Sequence, residues 1–251
     1  KEVVEKYHPD RILIEPSGVG KLSDVIKAVQ GVEEDVDIQL NSYTTVVDAK
    51  KCKMYMRNFG EFFDNQVQYA GAIIMSRTDI VDEKKAMESM ELLRSINEKA
   101  AIITTPIEKL DGKKILEVME HPVSLADELL KEEHEHHHHH DHDEECGCGH
   151  HHDHHHHHAD EVFTSWGRET IKKFTREGLE KMLESLSASE EYGVILRAKG
   201  MLPAEDGTWI YFDMVPEETE IREGSPEYTG RLCVIGSKLK EDKLAELFGV
   251  A

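Results

Sequence analysis

Apolar and polar positions alternate along the first part of the chain with two different periods. Arg11 to Glu15 (RILIE) is a short apolar run of strand length, and the segment after it places Leu22, Val25, Ile26 and Val29 at helical i, i+3, i+4, i+7 spacing. Tyr43 to Val47 is a second β-rich run ending at Asp48, a helical stretch continues to about Tyr69, and Ala72 to Met75 gives a third strand. Ala86, Met90 and Leu93 mark an amphipathic helix that Asp82 is placed to cap, Ala101 to Thr104 forms a fourth strand, and Ile115 to Met119 lies in a short helix. Strands alternating with helices predict an α/β arrangement, a parallel sheet covered by helices, over residues 1–120.

The pattern then stops. Of the residues in 134–158, most are His, with Asp, Glu, two Cys and two Gly making up the rest. Nothing there can anchor a core, so the sequence predicts a linker over 121–160 that stays unstructured without metal. Beyond it, Phe174, Leu179, Met182, Leu183 and Leu186 predict a helix, while Gly193 to Lys199, Trp209 to Val215 and Arg231 to Ile235 predict strands. Leu244, Leu247 and Phe248 predict a closing helix. A small α+β domain with a largely antiparallel sheet is expected over 161–251.

Composition narrows the partners. The 251 residues carry a formal net charge of −21, which repels nucleic-acid phosphates, and no apolar run approaches the length of a membrane span. Nucleic acid and membrane are therefore expected not to be partners, and cytoplasm is the expected compartment. Four Cys do not make a disulfide framework. Cys52 and Cys233 stand alone and read as small buried hydrophobes, and His8 and His121 carry no signal.

The densest chemistry is the tract itself. Its candidate metal ligands are His134, His136, His137, His138, His139, His140, His142, Cys146, Cys148, His150, His151, His152, His154, His155, His156, His157 and His158. Neutral imidazole and thiolate suit Zn²⁺ and equally Co²⁺, Ni²⁺ or copper, and so dense a set can hold several ions in rapid exchange. An affinity tag is normally terminal and uninterrupted, whereas this tract is internal and interleaved with acids. A merely solvated spacer is the other reading.

Gly20-Lys21 resembles the end of a phosphate loop. Alignment with Gly-x-x-x-x-Gly-Lys-Ser/Thr puts Glu15 where the first Gly belongs and Leu22 where the metal-binding hydroxyl belongs, so the pair is a decoy. Ile14-Glu15 followed by Pro16-Ser17-Gly18 instead has the form of a GTPase switch. There a strand-end acid holds Mg²⁺ through water and a Gly three residues on approaches the γ-phosphate. An ordinary strand-to-turn corner with a solvated Glu explains the same residues. Ser76-Arg77-Thr78-Asp79, directly after an apolar strand, is similar to the Asn/Thr-Lys-x-Asp guanine-reading motif. Asp79 would accept from the guanine N1 and N2 groups, Arg77 would lie where Lys usually lies on the base, and Ser76 replaces the usual Asn. A plain Thr-Asp turn entering the next helix is the alternative. In the C-terminal domain Arg197 and Lys199 alternate with Leu196 and Ala198, which offers either a docking face or a solvated one.

Taken together, ILIEPSG, TTVVDA, DNQVQYAGAIIMSRTD, the His-rich tract, VILRAKGML, TWIYFD and GRLCVIGSKL resemble the CobW-like metallochaperone GTPases. That family includes the cobalamin synthesis protein W-like and zinc-regulated GTPase metalloprotein activator groups. The resemblance implies a P-loop GTPase-type parallel sheet in 1–120, a metal-binding linker in 121–160 and a CobW-type C-terminal α+β domain in 161–251. The family's phosphate loop and Cys-x-Cys-Cys motif do not occur in these residues, so an N-terminally truncated, inactive chain is expected. The implied function is GTP hydrolysis with Mg²⁺ that drives delivery of zinc, or of cobalt or nickel, to a client metalloprotein or to cobalamin biosynthesis. Glu15 and Gly18 would act at the phosphate side, and Ser76, Arg77 and Asp79 at the base. A non-enzymatic metal-buffering protein with a decayed GTPase half is the alternative.

Overall fold

The structure is a computed structural model that describes residues 1–16, 21–121, 164–216 and 218–250. The chain divides into two compact units, Lys1–Pro122 and Val123–Ala251.

In the first unit, helices α1 (Glu2–Tyr7) and α2 (Leu22–Glu33) precede strand β1 (Thr44–Asp48), and helix α3 (Cys52–Gln68) leads to β2 (Ala72–Ser76). Helix α4 (Glu83–Ile96), β3 (Ala101–Ile103) and helix α5 (Gly112–Glu120) follow. The sheet has the order β1-β2-β3 and is parallel throughout, with Asp48 opposite Ser76 and Ile74 opposite Ile103. The central strand is buried on both faces, as parallel strands under helices are: Ala72, Ile73, Ile74 and Met75 all lie inside, with Ala86, Met90 and Leu93 of α4 among the buried residues. Asp82 caps α4 by accepting from the Lys85 N–H at 2.7 Å, as its position before the apolar periodicity predicts.

Asn97 ends α4 and ties three elements together. Its side-chain N–H groups donate to the carbonyls of Val67 (2.9 Å), Gln68 (3.2 Å) and Ala70 (2.9 Å), and its Oδ1 accepts from the N–H of Lys99 and Ala100. One buried amide thus satisfies the last carbonyls of α3 and sets the entry to β3. Helix α3 is not continuous. Gly60 breaks it with φ +36° and ψ −109°, a left-handed backbone that a residue with a Cβ adopts only under strain.

The expected strand over Arg11 to Glu15 does not form. Residues 11–16 have no ladder partner among the described residues, and Leu13 is 91% exposed with Ile12 and Ile14 about half so. An apolar run becomes a strand only when another strand takes its N–H and C=O groups, and among the described residues β1 pairs with β2 alone.

In the second unit, β4 (Thr164–Thr170), helix α6 (Arg176–Ala188), β5 (Val194–Pro203), β6 (Trp209–Val215), β7 (Glu218–Gly224), β8 (Gly230–Ser237) and helix α7 (Glu241–Phe248) follow in sequence. The sheet is antiparallel in the order β4-β8-β5-β6-β7. One face packs with both helices into a continuous core of Trp166, Leu179, Leu183, Leu186, Phe212, Val234, Leu244 and Phe248, in which the Trp166 and Phe248 rings stack at 6.2 Å. Phe174, expected in the helix, lies before its Thr175 cap and bridges to Ala204 instead. The opposite face carries a smaller cluster of Met201, Trp209, Cys233 and Ile235. Arg197 lies on that face in a bidentate pair with Asp213, at 3.1 and 2.7 Å, so its charge is matched within the sheet. Beside it, Tyr211 donates to Glu227, and Glu227 pairs with the buried Arg231. Burial first, then the Glu227 charge, pushes the Tyr211 phenol well above its ordinary value.

Candidate nucleotide site at the strand ends

Because β1, β2 and β3 are parallel, their C-terminal ends share one edge, where open α/β sheets bind ligands. Ser76 ends β2, and Arg77, Thr78 and Asp79 form the turn that follows it. Arg77 has φ +64°, a left-handed conformation that costs a residue with a Cβ about 1–2 kcal/mol. Asp79 and Arg77 are exposed, so both can meet a ligand from solvent. The Thr78 Oγ1 is buried with no hydrogen-bond partner among the described residues. Chemically, the turn offers an exposed carboxylate that can accept from N–H donors and, two residues before it, a flat guanidinium.

The Ser76 hydroxyl donates to the Val47 carbonyl at 3.2 Å, and the Ala49 N–H donates to the Ser76 carbonyl at 3.0 Å. Ser76 therefore braces β1 against β2. The turn after β1 is fixed from a second direction, since the buried Ser89 of α4 donates to the Ala49 carbonyl at 2.8 Å. Asp48 was not among the residues the sequence singles out, although it ends the β-rich run that does. The signal that could have found it is an acid at the end of an apolar strand, the same signal that marks Glu15.

Glu15 is exposed at the end of the unpaired run 11–16. Gly18 lies outside the described residues, as does the whole tract from His134 to His158, including Cys146 and Cys148. The decoy Lys21 pairs with Glu61 of α3, which raises the Lys21 pKa through the hydrogen bond first and the opposite charge second. Two further bonds join the start of α2 to α3: Asn65 accepts from the Ser23 N–H at 3.3 Å and donates to the Ser23 hydroxyl at 3.0 Å. Among the described residues no cluster of three or more His, Cys, Asp or Glu side chains is placed to hold a cation. Cys52 and Cys233 are fully buried, and burial pushes each thiol up to about 11, so both are neutral packing residues.

Residues 1–104 match the profile of the CobW/HypB/UreG nucleotide-binding domain, and residues 163–251 match that of the cobalamin synthesis protein cobW C-terminal domain. The chain belongs to the CobW family. This CobW-family chain is 24% identical over 241 residues to the zinc-regulated GTPase metalloprotein activator 1 of Schizosaccharomyces pombe, a match that covers 86% of this chain and 56% of that protein. It thus spans little more than half the length of that curated relative. Among solved structures it is similar to the Zn(II)-bound YjiA GTPase from E. coli, with 20% identity, a TM-score of 0.33, and coverage of 89% of this chain and 66% of the other. A zinc-bound triple mutant of YjiA matches at 18% identity with the same TM-score. No helix among the described residues is long and apolar enough to cross a membrane.

Proposed function

We propose that this protein is a GTP-dependent metallochaperone that hands a transition metal, zinc in the first place and cobalt or nickel as alternatives, to a client metalloprotein. The observation that carries the reading is the Ser76–Asp79 turn, exposed at the C-terminal edge of a parallel sheet within the stretch that matches a nucleotide-binding domain. In this reading residues 1–120 handle the nucleotide, 121–160 hold the metal, and 161–251 form the family's C-terminal domain. Asp79 accepts from guanine N1–H and the N2 amino group, and Arg77 covers the base. Glu15 and Gly18 serve the Mg²⁺ and γ-phosphate side. Water attacks the γ-phosphorus, the bond to the β-γ bridging oxygen breaks, and GDP and phosphate leave, with catalysis by positioning and charge neutralisation.

Zinc is favoured because the curated relative is a zinc-regulated activator. The test uses the protein expressed from its complete reading frame. Removal of residues 134–158 should lower the number of zinc ions bound while leaving basal GTP turnover nearly intact; joint loss of both would place the tract in the nucleotide site and sink this division of labour. Zinc held by imidazole should also be released as the pH falls below about 6, since protonation competes at a reference His pKa near 6.5.

A metal buffer without turnover is the second reading, and one observation favours it. Ser76 stands where the motif has Asn, and its hydroxyl is committed to the Val47 carbonyl. Absence of GTP hydrolysis by the complete protein, with zinc capacity intact, would make this reading the correct one.

A further inference from the structure

The carboxylate of Asp48 joins the two turns that follow β1 and β2. Its Oδ1 accepts from the N–H groups of Lys50 and Lys51, at 2.9 and 3.2 Å, and its Oδ2 lies 3.5 Å from Nη1 of Arg77. The Asp48 side chain is only 14% exposed, whereas that of Arg77 is 54% exposed, so the acid is part of the frame and the guanidinium part of the surface. Arg77 is also one of the few residues with a Cβ held at positive φ. A strained residue persists only where its surroundings over-determine it. Around Arg77 those surroundings are the Asp48 carboxylate and the Ser76 carbonyl clamped by the Ala49 N–H. The turn closes one residue beyond Asp79, where the Ile80 N–H reaches back to the Arg77 carbonyl at 3.4 Å.

We propose that Asp48 is a positioning residue for base recognition: through Arg77 it holds the 77–80 turn in the conformation that aims the Asp79 carboxylate at the purine. The inference rests on the GTP reading above. Asp48 does not touch the nucleotide; it keeps the left-handed residue in place, and the aim of Asp79 follows.

The test is nucleotide discrimination by the protein from its complete reading frame. GTP, ITP and ATP affinities are measured by displacement of a fluorescent GTP analogue, together with thermal melting. ITP lacks the exocyclic amino group, so the GTP-to-ITP affinity ratio reads one of the two bonds to Asp79. In Asp48→Ala, GTP affinity should fall roughly tenfold, the size of one charge-assisted contact, and the GTP-to-ITP ratio should narrow. Asp48→Asn keeps an acceptor for Lys50 and Lys51 but removes the charge facing Arg77, and should fall between wild type and Asp48→Ala. In an Arg77→Ala background, Asp48→Ala should narrow the ratio no further. A GTP-to-ITP ratio that stays at its wild-type value while all affinities or the melting temperature drop would assign Asp48 a purely structural role and overturn the proposal. Should Asp48→Ala not fold, the ratio in Asp48→Asn decides in the same way. A wild-type protein that does not prefer GTP to ATP would instead sink the underlying GTP reading, a result distinct from either outcome for Asp48.

Discussion

The two units bury apolar surface by different routes. In the second, an antiparallel sheet presses one face against α6 and α7 in the main core and buries a smaller cluster of Met201, Trp209, Cys233 and Ile235 on the other; among the described residues only Val194, Leu196 and Val215 of this unit remain markedly exposed. In the first, a parallel sheet that needs cover on both faces leaves Val46 of β1 at 65% exposure, and Ile12, Leu13, Ile14, Phe59 and Phe62 are open as well. The antiparallel sheet thus buries its large side chains on both faces, whereas each uncovered position on the parallel sheet is burial energy forgone. The second unit should therefore be the more stable of the two and should unfold in its own transition. The reporters are already built in: both tryptophans, Trp166 and Trp209, lie in the second unit, and among the described residues each unit holds one fully buried cysteine, Cys52 or Cys233.

The sharpest way to separate the units is Leu183→Ala, which removes a fully buried side chain from the second core and should cost about 2–5 kcal/mol. Tryptophan fluorescence in guanidinium should move to lower midpoint, while the denaturant concentration that exposes Cys52 to a thiol reagent stays put. A coupled shift would show that the units do not unfold independently. The converse is Asn97→Ala, which leaves the buried carbonyls of Val67 and Ala70 without their donor and should cost about 2–3 kcal/mol. Here Cys52 should become reactive earlier, with the tryptophan transition unchanged.

Alkaline pH should weaken both units. Each buried thiol has its pKa raised from 9.0 to about 11, so it stays neutral in the folded chain while its unfolded counterpart ionises. The sign follows: the contribution is complete below pH 9 and is lost as the pH climbs toward 11. Denaturation midpoints measured across that window should fall, and Cys233→Ala should flatten the decline for the fluorescence transition alone. The smallest effect is expected for Val46→Thr, an exposed β-branched swap worth no more than about 0.5 kcal/mol. A loss several times larger would mean that Val46 is covered in solution, and the contrast between the units would collapse.

Elements whose pattern comes from burial were legible in the sequence. The runs at 44–48, 72–76 and 101–103 and the helix capped by Asp82 follow directly from apolar period and capping chemistry. Two strands were not. β7 (Glu218–Gly224) is an edge strand with nearly every side chain in water, and β4 buries little beyond Trp166 and Thr170, so neither carries an alternating apolar signal. The run 11–15 shows the opposite error, since composition offers a strand but pairing decides whether one forms. At the candidate site the place of the 76–79 turn, directly after β2, was legible because the apolar strand that precedes it is local in sequence. The link from Asp48 to Arg77 crosses 29 positions of sequence and exists only because β1 and β2 lie in register.

That register also bears on how such a protein can diversify. All three parallel strands deliver their ends to one edge, and the turns there are short: 49–51 after β1, 77–82 after β2 and 104–106 after β3. Ligand preference can therefore be rewritten in a dozen or so consecutive-turn positions, while the buried strands that hold the turns together are inherited unchanged. Variation among descendants should concentrate in those turns, with Asp48 and Arg77, whose charges join one turn to the next, changing only as a pair.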